Sequence, residues 1–157
     1  MKNNRGTTAL EFALILPVFA FFIFGIFDMG YYLFVENTLQ FATVEGMRLA
    51  TVGGTLNGTN GSPLSRAASI TQEIQNMAAN AGIPAGAIQV SIFPITAGYG
   101  DPTGWTGEQD AGNPGDYMRV VAAYTYTFFT PLIGTFFPGG VSTITAQATY
   151  RNELFSD

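Results

Sequence analysis

The sequence of 157 residues contains neither cysteine nor histidine. Disulfide bonds, thiolate catalysis, zinc sites with cysteine or histidine ligands, and catalytic triads built on histidine are therefore excluded. Charged residues are scarce as well, at 11% of the chain, against about 25% in typical soluble domains. The net charge is −5 and the six basic residues are scattered, so we expect no nucleic-acid partner.

One long uncharged run near the N-terminus, residues 12–27, accounts for much of this deficit. As a helix it would be about 24 Å long, shorter than the ~30 Å hydrocarbon core of a bilayer. A membrane span must therefore extend into flanking residues and include Glu11 or Asp28. We predict a helix over residues 7–52 whose transmembrane half is at about 9–32. Lys2 and Arg5 would keep the N-terminus in the cytoplasm, with everything after the span outside.

Two simpler interpretations explain the apolar run less well. A cleaved signal peptide needs small residues at a site after the run, but the sequence continues with the bulky residues IFDMGYYLF. A plain signal anchor gives no role to Glu11. A charge at the centre of a membrane helix costs roughly 2.5–3.5 kcal/mol and usually has a partner.

The stretch from Arg5 to Ala50 resembles the TadE-like family, minor pilins or pseudopilins of the Tad (tight adherence, Flp-type) pilus machinery. The resemblance depends on the order and spacing of RG, EFAL, LP, FGIFDMG and VEGMRLA. It implies cleavage by a prepilin peptidase after Gly6, which makes residues 1–6 a leader peptide and Thr7 the new N-terminus. The implied partners are other pilin and pseudopilin subunits, the prepilin peptidase, the inner-membrane pilus assembly platform and the lipid bilayer.

The implied cleavage supplies a counter-charge for Glu11. It creates an α-amine on Thr7, which is four residues before Glu11 and therefore on the same helix face. The ammonium could pair with Glu11 of its own chain or of a neighbouring subunit. By analogy with pilins the intersubunit pair is favoured, because an ion pair that is costly to leave half-made would register subunits during assembly.

Two other residues of the predicted span raise separate questions. Pro17 removes one backbone donor, so it either kinks or loosens the helix or is tolerated without consequence, and both alternatives stay open. Asp28 lies near the outer interface, where we expect its carboxylate to reach water rather than a specific partner.

Residues 53–157 are predicted to form an external α+β domain. A second helix is expected from Leu64 to Ala81, with its start at Ser62 and Pro63 and its end at Gly82. Alternating patterns predict three antiparallel strands in AIQVSIFPI, DYMRVVAAYTYTFF and VSTITAQATYR. The predicted fold is thus α+β and pilin-like, with a long, partly transmembrane N-terminal helix, a second helix and a small three-stranded sheet.

Two connections between the predicted strands are distinctive. Residues 95–116 are rich in glycine and contain Asp101, Glu108 and Asp110, with Trp105 at the tip. They are a possible loop contact or weak metal site, but their spacing matches no calcium loop, so we expect a solvated connection and no metal or other cofactor. Trp105 would either contact a partner or fold back on the sheet. The apolar segment TPLIGTFFPGG would form a short helix near the membrane surface or against a neighbour.

These observations predict a structural protein rather than an enzyme. No histidine is available as a base, and the only lysine is at position 2. The leading hypothesis is a minor pilin or pseudopilin that contributes to Tad pilus biogenesis and adherence, in the bacterial inner membrane and then in the extracellular pilus. The alternative is a single-pass, membrane-anchored extracytoplasmic binding module that enters no filament.

Overall fold

The computed structural model describes residues 5–95 and 98–154. Its elements are α1 (Arg5–Thr51), α2 (Arg66–Asn80), β1 (Ile88–Pro94), β2 (Tyr117–Thr127), α3 (Pro131–Gly134) and β3 (Val141–Arg151). The strands form one antiparallel sheet in the order β1-β2-β3. The predicted α+β arrangement of a long helix, a second helix and three strands is confirmed.

The described residues form two compact units. Unit 1 contains residues 5–34 and 127–142, and unit 2 contains residues 35–95, 98–126 and 143–154. Residues 1–4 of the predicted leader peptide lie outside the described part of the chain. Residues 96 and 97 of the Gly-rich connection do so as well.

Helix α1 ends close to the position that the sequence predicts. Gly53 has a φ of 70°, and its N–H donates to the carbonyl of Ala50 while that of Gly54 donates to Leu49. These bonds satisfy carbonyls that a helix terminus otherwise leaves unpaired. Val35, Leu39 and Ala42 recur at the helical period along α1 and are buried in unit 2.

The predicted start of the second helix at Ser62 and Pro63 is wrong. The helix begins at Arg66, and its N-cap is Ser65, whose Oγ accepts the N–H of Ala68 at 3.2 Å. Residues 56–64 instead form a small hairpin, in which Leu64 donates to the carbonyl of Leu56 at 2.8 Å. This pairing holds the chain extended until Ser65. Gly82 ends the helix as predicted, with a φ of 86°.

The two helices of unit 2 pack closely because Gly46 has no side chain. A Cβ at this position would collide with the side chain of Ile74. Ile70 and Ile74 of α2 are fully buried. A glycine in the middle of a helix is intrinsically unfavourable, and here this close approach gives a packing reason for it.

Strand β3 has the alternation that the sequence predicts, whereas β1 also buries Ser91 and Phe93 on its other face. In β1 and β2, Ile88 lies opposite Tyr124 and Ile92 lies opposite Val120. Strand β3 buries Ile144, Ala146 and Tyr150 and exposes the intervening Thr143, Thr145, Gln147 and Thr149. The apolar face of β3 therefore completes the core of unit 2.

Candidate functional site

The first half of α1 has an apolar surface that is largely exposed within the described structure. It contains a window of mean hydropathy 2.4, none of whose residues is buried, and the helix is long and apolar enough to cross a membrane. Phe19 is 58% exposed and Phe27 is 72% exposed. Burying one such side chain contributes about 1.5–3 kcal/mol, so a bilayer would stabilise this segment, and its length and composition suit a single membrane anchor.

The implied processing and registry residues lie at the beginning of this surface. Gly6, Thr7 and Glu11 are all helical and exposed. Thr7 and Glu11 are one helical turn apart and therefore share a face of α1. Glu11 is thus available to a positively charged group from its own chain or from another one.

Asp28 does not reach water, and the expectation that it would is wrong. Its side chain is only 2% exposed. Its Oδ1 accepts the backbone N–H of Phe129 at 3.2 Å, and its Oδ2 accepts that of Thr130 at 2.9 Å. Strand β2 ends at Thr127, so these two N–H groups lie beyond it. The carboxylate of Asp28 accepts the hydrogen bonds that carbonyls of a neighbouring strand would accept within a sheet.

The segment that supplies these two donors packs along α1 through several further contacts. A Cβ at Gly25 would lie 3.4 Å from Cδ1 of Ile133, so the glycine allows a close approach. The rings of Tyr32 and Phe128 stack at 5.9 Å between centroids. The Tyr32 hydroxyl is 3.4 Å from Oγ of Ser142. Residues 127–142 are therefore held on the last turns of the apolar part of the helix.

The model of the TadE-like protein family matches residues 6–48. The chain carries a TadE-like segment. This segment, about a quarter of the chain, includes Thr7, Glu11 and Asp28. No curated protein and no solved structure matches the chain.

Pro17 lies inside the TadE-like segment, and α1 is assigned as helix without interruption on both sides of it. The helix can accommodate the missing N–H at this position because neighbouring groups can re-satisfy the freed carbonyl. A kink at Pro17 stays a prediction.

The acidic residues that follow the TadE-like segment do not come together as a metal site. Asp101 forms an ion pair with Arg119. Oδ1 of Asp110 accepts the N–H of Gly112 at 2.8 Å. Glu108 contributes its backbone carbonyl, which accepts the N–H of Ile92 at 2.8 Å. Within residues 5–95 and 98–154, no three acidic side chains are grouped so that they could hold a metal ion.

Trp105 folds back on the sheet. Its ring centroid is 5.1 Å from that of Phe93 in β1, and the neighbouring Gly107 donates to Oγ of Ser91 at 2.8 Å. These contacts explain why Ser91 and Phe93 are buried on the side of β1 opposite Ile92. Of the two alternatives for Trp105, the structure supports the internal contact.

A polar cluster that the sequence did not indicate joins distant parts of unit 2. Arg66 donates to the carbonyl of Gly112 at 2.8 Å and to Oδ1 of Asn152 at 3.2 Å. The amide nitrogen of the buried Asn152 donates to the carbonyls of Ala111 and Asn113 at 3.0 and 2.8 Å. This cluster fixes the end of the Gly-rich connection against the residue that follows β3. Its members are far apart in sequence, so no local pattern indicates the cluster.

Proposed function

We propose that this chain is a structural, non-enzymatic minor pilin or pseudopilin of a Tad pilus, cleaved by a prepilin peptidase after Gly6. One observation carries the proposal. Glu11 is exposed on an uncovered apolar helix, one turn after the residue that cleavage would make the N-terminus. A plain anchor would have no use for a charge at this position, whereas a processed subunit provides an ammonium group to pair with it.

The electrostatic argument favours registry over stability as the role of the pair. An ion pair in an apolar environment adds little net stability, because removing both charges from water is costly. Leaving either member without its partner costs about 3–5 kcal/mol. Neighbouring subunits would therefore be favoured in the register that brings each Thr7 amine to a Glu11 carboxylate.

The proposal also specifies location and partners. The chain would reside in the bacterial inner membrane with a cytoplasmic N-terminus and an extracytoplasmic remainder, and then enter the extracellular pilus. Its partners would be other pilin and pseudopilin subunits, the peptidase and the assembly platform. The apolar surface of α1 would contact lipid before assembly and the helices of other subunits afterwards.

The test is N-terminal sequencing of the membrane-extracted chain after co-expression with a prepilin peptidase. We expect the mature chain to begin at Thr7, and a catalytically inactive peptidase to leave residues 1–6 attached. Retention of residues 1–6 with the active peptidase would contradict the pilin proposal and favour the anchored binding module.

A further inference from the structure

A second apolar surface of unit 1 is formed by residues 127–142, TFFTPLIGTFFPGGVS, which connect β2 to β3. No charged residue occurs in this segment. Two of its largest side chains, Phe129 and Phe136, are 71% and 73% exposed. Large exposed phenyl groups on an uncharged segment indicate an interaction site.

The position of the segment along α1 identifies the medium around it. Its contacts with the helix run from Gly25 to Tyr32, which corresponds to about 10 Å of helix length. These turns are the outer end of the predicted transmembrane half. Segments that lie in a membrane interface are typically buried ~5–10 Å into the headgroup and acyl boundary, a depth that this position matches.

Many backbone N–H groups of the segment have the internal hydrogen bonds that such a location requires. Irregular backbone at membrane depth must have its polar groups satisfied by protein. Asp28 accepts from Phe129 and Thr130. Internal bonds engage the N–H groups of Phe128, Gly140 and residues 134–137. Pro131 and Pro138 have no N–H to satisfy.

We propose that residues 127–142 insert into the outer interface of the bilayer beside the transmembrane helix, as a second, shallow lipid contact of this chain. Phe129 and Phe136 would enter the acyl region, and Asp28 would hold the segment at its depth. The occupant is lipid because the segment continues the apolar surface of a helix that itself needs a bilayer, and the one charge between them, Asp28, is buried.

This inference rests on the membrane-anchored part of the proposed function but requires neither cleavage nor assembly. Because the native chain has no cysteine, single-cysteine variants of the full chain report local environment without background. The chain would be reconstituted alone in phosphatidylethanolamine and phosphatidylglycerol vesicles and treated with a membrane-impermeant maleimide. Each labelling rate would be normalised to the rate for the same variant in denaturant.

The test variant is Phe136→Cys, with Phe129→Cys as a second position. Tyr99→Cys is the exposed control, since Tyr99 is 64% exposed in unit 2 and follows the same single span. Phe19→Cys is the control for the span. We expect Phe136→Cys and Phe129→Cys to react at least about tenfold more slowly than Tyr99→Cys, because an apolar environment disfavours the reactive thiolate.

Each other outcome would overturn the inference. Rapid labelling of both test positions with a protected Phe19→Cys would show that the helix is anchored but the segment is in water. Rapid labelling of Phe19→Cys would show that the first half of α1 is not in the bilayer, which would contradict both the membrane anchor and this inference. Protection of the test positions that disappears when the chain is diluted in lipid would show that another copy, rather than the bilayer, covers them.

Discussion

The carboxylate of Asp28 and the backbone N–H of Thr130 form a 2.9 Å hydrogen bond across 102 positions of sequence. The other carboxylate oxygen accepts the N–H of Phe129. The carboxylate of Asp28 thereby has two donors although it lies at the end of the apolar half of α1. The same two bonds satisfy the N–H groups of Phe129 and Thr130, which lie beyond the end of β2, without water.

Replacing Asp28 with alanine should loosen residues 127–142. Loss of the carboxylate leaves two backbone donors without their acceptor, at a cost of about 1–3 kcal/mol for each buried group. We expect faster hydrogen exchange at the amides of Phe129 and Thr130, measured for the full chain in detergent micelles. The conservative change Asp28→Asn retains one carbonyl oxygen and should have an intermediate effect.

The matched control is Glu45→Ala. Glu45 pairs with Arg48 at 3.1 Å on the surface of the same helix, and exposed pairs of this kind contribute about 0.3–0.5 kcal/mol. Equal exchange at Phe129 and Thr130 in Asp28→Ala and Glu45→Ala would show that the Asp28 bonds do not hold the segment.

Replacing Glu11 with alanine should impair assembly without affecting membrane insertion. Removing one member of a buried ion pair costs about 3–5 kcal/mol, and a tenfold change in an equilibrium corresponds to about 1.4 kcal/mol. We therefore expect incorporation into sheared pili to fall at least tenfold. Incorporation would be measured by immunoblot of the pilus fraction against the membrane fraction. Glu36→Ala, which removes another exposed acid of α1, should assemble normally. Normal incorporation of Glu11→Ala would disprove the registry role.

Replacing Gly46 with alanine should destabilise the chain, although alanine favours helix. The added Cβ would collide with Ile74, and overpacking of this type typically costs about 1–3 kcal/mol. The free energy of unfolding would be measured by denaturant titration in micelles. A Cβ added at Gly30 of the same helix would have nothing within 4 Å, so Gly30→Ala should be stabilising by about 0.5–1 kcal/mol. Equal effects at the two glycines would argue against close packing of α1 and α2.

Tyr150 should make the stability of the chain sensitive to alkaline pH. Burial raises the pKa of Tyr150 from 10.0 to about 12, an effect that outweighs the opposing influence of Arg66. The folded state therefore retains a proton that the unfolded state loses first. This contribution, on the order of 2 kcal/mol, is complete below pH 10 and disappears as the pH rises towards 12.

The corresponding experiment compares the free energy of unfolding of native and Tyr150→Phe chains from pH 8 to pH 11. The Tyr150 hydroxyl is buried and has no hydrogen-bond partner within the described residues, so Tyr150→Phe should change stability by less than about 1 kcal/mol at pH 8. It should also reduce the alkaline loss. Tyr99→Phe, at an exposed tyrosine, should leave that loss in place. If the free energy of unfolding of Tyr150→Phe fell with rising pH as much as that of the native chain, Tyr150 would not be the source of the alkaline sensitivity.

Replacing Trp105 with alanine should release the Gly-rich connection from β1. The variant loses the ring contact with Phe93, so the amide of Asp110, which donates to the carbonyl of Ile92 at 2.9 Å, should exchange faster with solvent. Thr106→Ala, a change at an exposed neighbour, should have no such effect. Unchanged exchange at Asp110 in Trp105→Ala would show that the backbone bonds alone are sufficient.

The sequence predicts the elements whose signals are local. Helix α1 is recognisable from its long uncharged run, and the strands are recognisable because apolar residues recur at the strand period. The position of Gly82 is predictable for the same reason, since a single residue type suits the left-handed conformation there. The start of α2 is not predictable in this way, because Ser62 and Pro63 form a good local start signal, while the hairpin of residues 56–64 depends on pairing with Leu56.

The candidate site is predictable to the same extent. Gly6, Thr7 and Glu11 form a local pattern, and their spacing suffices to place them on one helix face. Asp28 and Thr130 depend on each other across most of the chain, and neither residue type indicates the other. The cluster of Arg66 and Asn152 has the same property. Without a fold, a buried carboxylate that accepts backbone N–H groups cannot be distinguished from one that reaches water.

The backbone hydrogen bonds of Glu108 and Asp110 with Ile92 have a consequence for a chain that is crowded with its own copies in a membrane. Strand β1 is at one edge of the sheet, and an open edge can template intermolecular β-pairing and aggregation. Here the backbone of the Gly-rich connection already occupies the N–H and carbonyl of Ile92. At that residue, crowded copies of the chain are protected from joining their sheets by mistake.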